Sequence, residues 1–132
     1  MGTKSGKVWG QTELVEANGV LEFHRIDIAA GGTCSKHKHN NKWNGFFVES
    51  GSLLIRVWKN NYVLIDETTL EAGQYTKVAP GEYHQFEALA DTVAFELYWA
   101  EFDNDDIHRE SVGHLLPNSQ PGTTLNLINV KK

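Results

Sequence analysis

Gly31-Gly-Thr-Cys34-Ser-Lys36-His37-Lys38-His39, the polar loop Asn40–Trp43 and then Asn44-Gly-Phe-Phe-Val-Glu-Ser-Gly51 form the stretch that decides the fold. His37 and His39 occupy alternate positions, so on a strand spanning Ser35–His39 both rings project to one face. Neutral imidazole is a common ligand of first-row transition metals, and a same-face histidine pair is half of a metal site. A third histidine, His84, lies in a second cluster, Ala79-Pro80-Gly81-Glu-Tyr-His84-Gln-Phe86. Glycines punctuate both clusters, as expected where strands turn sharply at a barrel rim.

Outward from these clusters the chain is a succession of short strand patterns. Asn18-Gly19 is a hairpin signal between a short edge strand, Thr12–Val15, and the alternating run Val20–Ile28. In that run His24 shares a face with Ile26 and Ile28, and Arg25 lies on the other. Further strands are expected at Phe46–Glu49, Leu53–Trp58, Tyr62–Asp66, Thr69–Ala72, Tyr75–Val78, His84–Ala88 and Thr92–Phe102, with a turn at Lys59-Asn60-Asn61. There is no internal repeat and no sustained helical period. Short strands separated by regular turn signals predict an all-β sandwich or barrel.

Composition bounds the rest. The 132 residues make one domain, divided into a frayed leader 1–7, a β domain 8–113 and an extension 114–132. A 40% hydrophobic fraction argues against disorder, and a formal charge of −5 against a nucleic-acid partner. Cys34 is the only cysteine, which excludes an intramolecular disulfide. No apolar run follows Met1, and none reaches the roughly 18 residues of a membrane span, so a cytoplasmic protein without a membrane partner is expected.

Both clusters resemble the two motifs of the cupins. Gly31, His37, His39 and Gly51 stand in the spacing of the first, with Asn44 where its glutamate belongs; Gly73, Gly81 and His84 stand in that of the second, with Pro80 displaced by one position and Ala88 in place of its asparagine. The resemblance implies an antiparallel jelly-roll β-barrel holding one divalent transition metal, Zn, Fe, Mn, Ni or Cu, on His37, His39 and His84. Asn44 is either a fourth, neutral donor or the head of an Asn-Gly turn. Candidate ligand contacts are His24, Arg25 and Trp99, and no catalytic residue is singled out. Cys34, out of parity with His37, is expected to point away from the site. Lys36, Lys38 and Lys42 frame the loop as solvated charges or as attraction for an anion.

Within the cupins the chain is similar to the C-terminal domain of type II mannose-6-phosphate isomerases. Trp9-Gly10, His24-Arg25-Ile26, Ser35, Val48-Glu-Ser-Gly51, Glu96-Leu97 and Asp105-Asp106-Ile107-His108-Arg109 carry that likeness. It departs at Asn44, at Trp99 and at Val112-Gly113-His114, where the family has a glutamate, an acidic residue and Tyr-Gly-Arg. Three readings follow: an isomerase-like protein acting on or binding a sugar or sugar phosphate, a three-histidine Fe(II) dioxygenase, and a small-ligand binder without chemistry. A homodimer is expected, with Thr123–Val130 as a candidate arm.

Overall fold

The computed structural model describes residues 3–59, 64–100, 102, 104–116 and 129–130. Among the described residues ten strands account for the regular structure: β1 (Thr3–Lys7), β2 (Gly10–Ala17), β3 (Leu21–Ile28), β4 (Trp43–Ser50), β5 (Ser52–Lys59), β6 (Leu64–Glu71), β7 (Gln74–Val78), β8 (Tyr83–Ala88), β9 (Thr92–Trp99) and β10 (Asn129–Val130). They build a seven-stranded sheet, β1-β2-β3-β9-β4-β7-β10, facing a three-stranded sheet, β6-β5-β8. All pairs are antiparallel except the short parallel contact of β10 with β7. The all-β jelly-roll expectation is met. Among the described residues no helix is long and apolar enough to cross a membrane.

The period-two pattern fixes which face of each strand meets the core. Ile26 and Ile28 of β3, Phe46 and Val48 of β4, Val78 of β7 and Ala94 of β9 face Leu53, Ile55 and Val57 of β5, Leu70 of β6 and Phe86 and Ala88 of β8. Each fully buried Val, Leu, Ile or Phe side chain of this set contributes roughly 1.5–3 kcal/mol. At the β2–β3 turn, Asn18 Oδ1 accepts the amides of Val20 and Leu21 at 3.2 and 2.9 Å, as the Asn-Gly signal leads one to expect. At the β4–β5 turn Gly51 has φ +97°, and a Cβ there would lie 2.4 Å from the Asp91 carbonyl oxygen. Only glycine fits both demands.

Several boundaries differ from the sequence expectation. Residues 3–7 are not a frayed leader but a strand, paired with β2 from Thr3↔Leu14 to Lys7↔Gly10. The two strands expected at 62–66 and 69–72 are one, β6, and β9 ends at Trp99 rather than Phe102. Residues 60–63 and most of the candidate arm lie outside the described residues; of that arm only Asn129–Val130 is described, against β7.

The segment 31–39 corrects the sequence most. It runs beside β8 without being a regular strand, held by Gly31 N–H to Ala88 O (2.8 Å), Cys34 N–H to Phe86 O (3.2 Å) and a reciprocal pair between His37 and His84 (3.1 and 2.8 Å). Its bridges Thr33↔Glu87 and His37↔His84 differ in register by one residue. One extra residue is therefore accommodated between them, the signature of a bulge, which re-aims side chains.

Candidate metal centre

His37 and His39 leave the bulged segment on one side, and His84 comes from the start of β8. Their ring centroids are 4.6–5.3 Å apart, and one donor atom from each lies within 4.8 Å of the others. That is near the roughly 3–4 Å kept by donors around one ion. The structure thus brings together the three residues that the motifs separate in sequence.

Two of the rings have the same tautomer built in. His84 Nδ1 lies 2.9 Å from the Glu82 carbonyl oxygen and His37 Nδ1 lies 2.8 Å from that of Ser35. A carbonyl only accepts, so each Nδ1 carries the proton and each Nε2 keeps its lone pair. His84 Nε2 then faces Asn44 Oδ1 at 3.0 Å. The amide orientation is set from behind, where Asn44 Nδ2 donates to Leu97 O at 3.3 Å. Two lone pairs aimed at each other are unfavourable on their own; two donors bound to one ion at about 2.1 Å sit roughly 3 Å apart. A divalent cation fits this donor set. His39 Nδ1 is buried without a hydrogen-bond partner, the one such side-chain atom among the described residues. Burial, then the neighbouring His37 and His84, lowers the His39 pKa to about 4, and burial likewise lowers that of His84. Lower values favour the neutral, ligating form.

Beside His37 opens a cavity of about 570 Å³, lined further by Trp9, Thr12, His24, Cys34, Phe86, Glu96 and Tyr98 among others. Trp9 and Phe86 meet edge to face at 5.1 Å and supply its apolar wall. His24 enters as one of the expected ligand contacts, its Nε2 3.0 Å from Glu22 Oε1. Arg25 does not: it sits on the other face of β3 and pairs with Asp27 at 3.3 Å. Trp99 does not line this cavity either. It stacks on Trp43 at 6.2 Å and covers Gly45, where an added Cβ would meet its ring at 3.0 Å. Strand parity turns its neighbour Tyr98 inward instead, with the ring 5.1 Å from His39.

Cys34 lies in the cavity wall rather than away from it, because the bulge between Thr33 and His37 breaks the parity that a regular strand would keep. Its thiol accepts the Phe86 amide at 3.2 Å, and burial pushes its pKa up to about 11. A raised pKa disfavours the reactive thiolate. Neither Glu96 nor Tyr98 was expected as a site residue, although Glu96-Leu97 is among the segments that carry the family likeness. The available signal was a lone carboxylate between Phe95 and Leu97, in phase with Ala94 on the inward face of β9. Burial raises the Glu96 pKa above its ordinary value, opposed by the nearby polar groups of Tyr98 and Asn44.

No family model matches the chain, and no curated protein matches its sequence. Solved structures do match. KdgF from Halomonas sp. superposes with a TM-score of 0.64 at 15% identity, over 77% of this chain and 91% of that one. A cupin of the RmlC-like type from Shewanella frigidimarina gives 0.64 at 16%, over 80% and 87%. The fold is that of the cupins. Oxalate decarboxylase from Bacillus subtilis, a protein with Mn(II) centres, gives 0.65 at 14% identity. The match covers 80% of this chain and 29% of that enzyme, so this chain corresponds to under a third of it.

Proposed function

We propose that this chain is a metal-binding cupin that takes a small hydroxyl-bearing ligand, of sugar or sugar-phosphate type, in the cavity beside its three histidines. The observation that carries the reading is the shared tautomer: carbonyls of Ser35 and Glu82 hold the Nδ1 protons of His37 and His84 and leave both Nε2 lone pairs free. His37, His39 and His84 would hold the ion, with Asn44 Oδ1 as the neutral fourth donor. Imidazole suits Zn, Fe, Mn, Ni or Cu alike. When bound, such an ion supplies Lewis acidity toward an oxygen of the ligand.

The cavity wall fits a polyhydroxy compound, since Thr12, His24, Glu96 and Tyr98 offer hydrogen bonds while Trp9 and Phe86 offer apolar contact. This agrees with the resemblance to the mannose-6-phosphate isomerase domain in ligand class. The outward Arg25 and the neutral Asn44 favour binding over isomerisation, because proton transfer needs a base and charge stabilisation at the reacting centre. A second copy of the chain is the proposed partner, through the outer face of the large sheet.

Thermal unfolding with neutral hexoses and hexose phosphates, before and after chelation, tests the reading. Stabilisation that requires the metal supports it; no stabilisation by either class contradicts it. Product analysis on the same mixtures separates isomerase from binder. Oxygen consumption after Fe(II) loading would instead establish the dioxygenase.

A further inference from the structure

Glu96 is the one buried carboxylate among the described residues, 9% exposed overall. Its position follows from register. On β9, Tyr98 stands directly opposite Asn44 of β4, and Glu96 stands opposite Phe46. Glu96 and Asn44 are therefore diagonal neighbours on one face of the pair, within reach of each other's side chains. The Asn44 amide and the Tyr98 hydroxyl both approach the Glu96 carboxyl and favour its charged form.

An asparagine amide has two N–H donors and a broad torsion at its end, so one partner does not hold it. The Leu97 carbonyl takes one of the donors at 3.3 Å, long for such a bond. The Glu96 carboxyl, diagonal to Asn44, is the acceptor placed to take the other. With the amide nitrogen turned to the β9 side, Oδ1 is what remains to face His84 Nε2 at 3.0 Å. A reversed amide would aim its N–H groups at the site and repel a cation there.

We propose that Glu96 is the positioning residue of the metal centre: it fixes the Asn44 amide with its oxygen toward the histidines, so that a neutral side chain serves at the position of the first motif's glutamate. This rests on the metal-binding reading given above. The carboxyl of this site is thus moved one strand over, from β4 to β9, and acts through Asn44.

The test is a Co(II) titration followed by visible absorption, on the full chain and on Glu96→Gln, Glu96→Leu, Asn44→Leu and the Glu96→Leu/Asn44→Leu double variant. Glu96→Leu is expected to weaken Co(II) binding by about 10-fold or more, within the range of lost outer-shell partners. Glu96→Gln keeps an acceptor oxygen and should stay within about threefold of the parent. In the Asn44→Leu background the Glu96→Leu change should have no further effect, since residues acting through one another are non-additive. A Glu96→Leu variant that binds as the parent does, or a loss that persists undiminished without Asn44, would overturn the proposal. Nuclear magnetic resonance of the metal-free parent separates this from failure of the metal reading. Slow exchange of both Asn44 side-chain amide protons, shifted by Glu96→Gln, supports the hold on Asn44 whatever the Co(II) result. Fast exchange, or signals that Glu96→Gln leaves in place, would overturn it even if Co(II) binds, and absence of Co(II) uptake by the parent would overturn the metal reading.

Discussion

His37 and His84 each give the Nδ1 proton to a carbonyl two residues earlier, so the backbone itself chooses the tautomer that leaves Nε2 able to bind a cation. His39 lacks that arrangement and sits with a buried, unpartnered Nδ1. Its pKa, lowered to about 4 by burial and by its histidine neighbours, has a consequence for the metal-free protein. Between pH 6.5 and about 4 the unfolded chain takes up a proton at His39 that the folded chain refuses, so stability should fall as pH falls through that window. His84 is shifted in the same direction. Glu96 runs the other way, since a raised carboxyl pKa favours the fold as pH falls. Urea unfolding of chelator-treated protein, compared with His39→Gln, isolates the His39 part. The acid loss of stability should be smaller in the variant; an equal loss in both would contradict the assignment.

The elements explain why some of this was legible in the sequence and some was not. Strand alternation in β3 placed His24 inward with Ile26 and Ile28 because β3 pairs with β9 without a register shift. The same logic failed at Cys34, where the bulge before His37 leaves no mark in residue type that a regular strand would not also show. The Trp99 expectation came from residue type and family position instead, whereas parity on β9 sends Glu96 and Tyr98 inward. The diagonal placement of Asn44 and Glu96 depends on a β4–β9 contact between distant parts of the chain, which no local pattern contains. Turn chemistry was more readable, and it can be tested at two glycines with left-handed φ. Gly51→Ala meets both the backbone penalty and the Asp91 carbonyl, whereas Gly31, at φ +83°, has nothing within 4 Å of an added Cβ. Gly51→Ala should cost about 2 kcal/mol or more and Gly31→Ala about 1 kcal/mol, read from urea midpoints. Equal costs would mean that close approach at Gly51 does not matter.

At the scale of the whole molecule the two outer faces differ in kind. That of the small sheet is polar, with Arg56 bonded to Glu67 and Glu87 at 3.1 and 2.6 Å across its strands. That of the large sheet carries Phe23, Phe95 and Phe47 stacked in a row, with centroid spacings of 5.3 and 6.4 Å, beside the Trp43–Trp99 stack. A sheet face turned to water is ordinarily polar, so this one fits an interface between two copies. Sedimentation at micromolar concentration should give twice the 14.8 kDa chain mass, and Phe95→Lys should give the single chain. A parent protein that sediments as the single chain would contradict the dimer. The central claim is the metal centre, and its most direct measurement is elemental analysis of untagged protein with and without His84→Ala. The parent should carry about one divalent transition-metal ion per chain. The variant should lose most of it while its circular dichroism stays that of the β fold, because the apolar core and not the ion holds the sheets together. A parent that takes up no divalent metal, or a His84→Ala variant that retains it in full, would contradict the account.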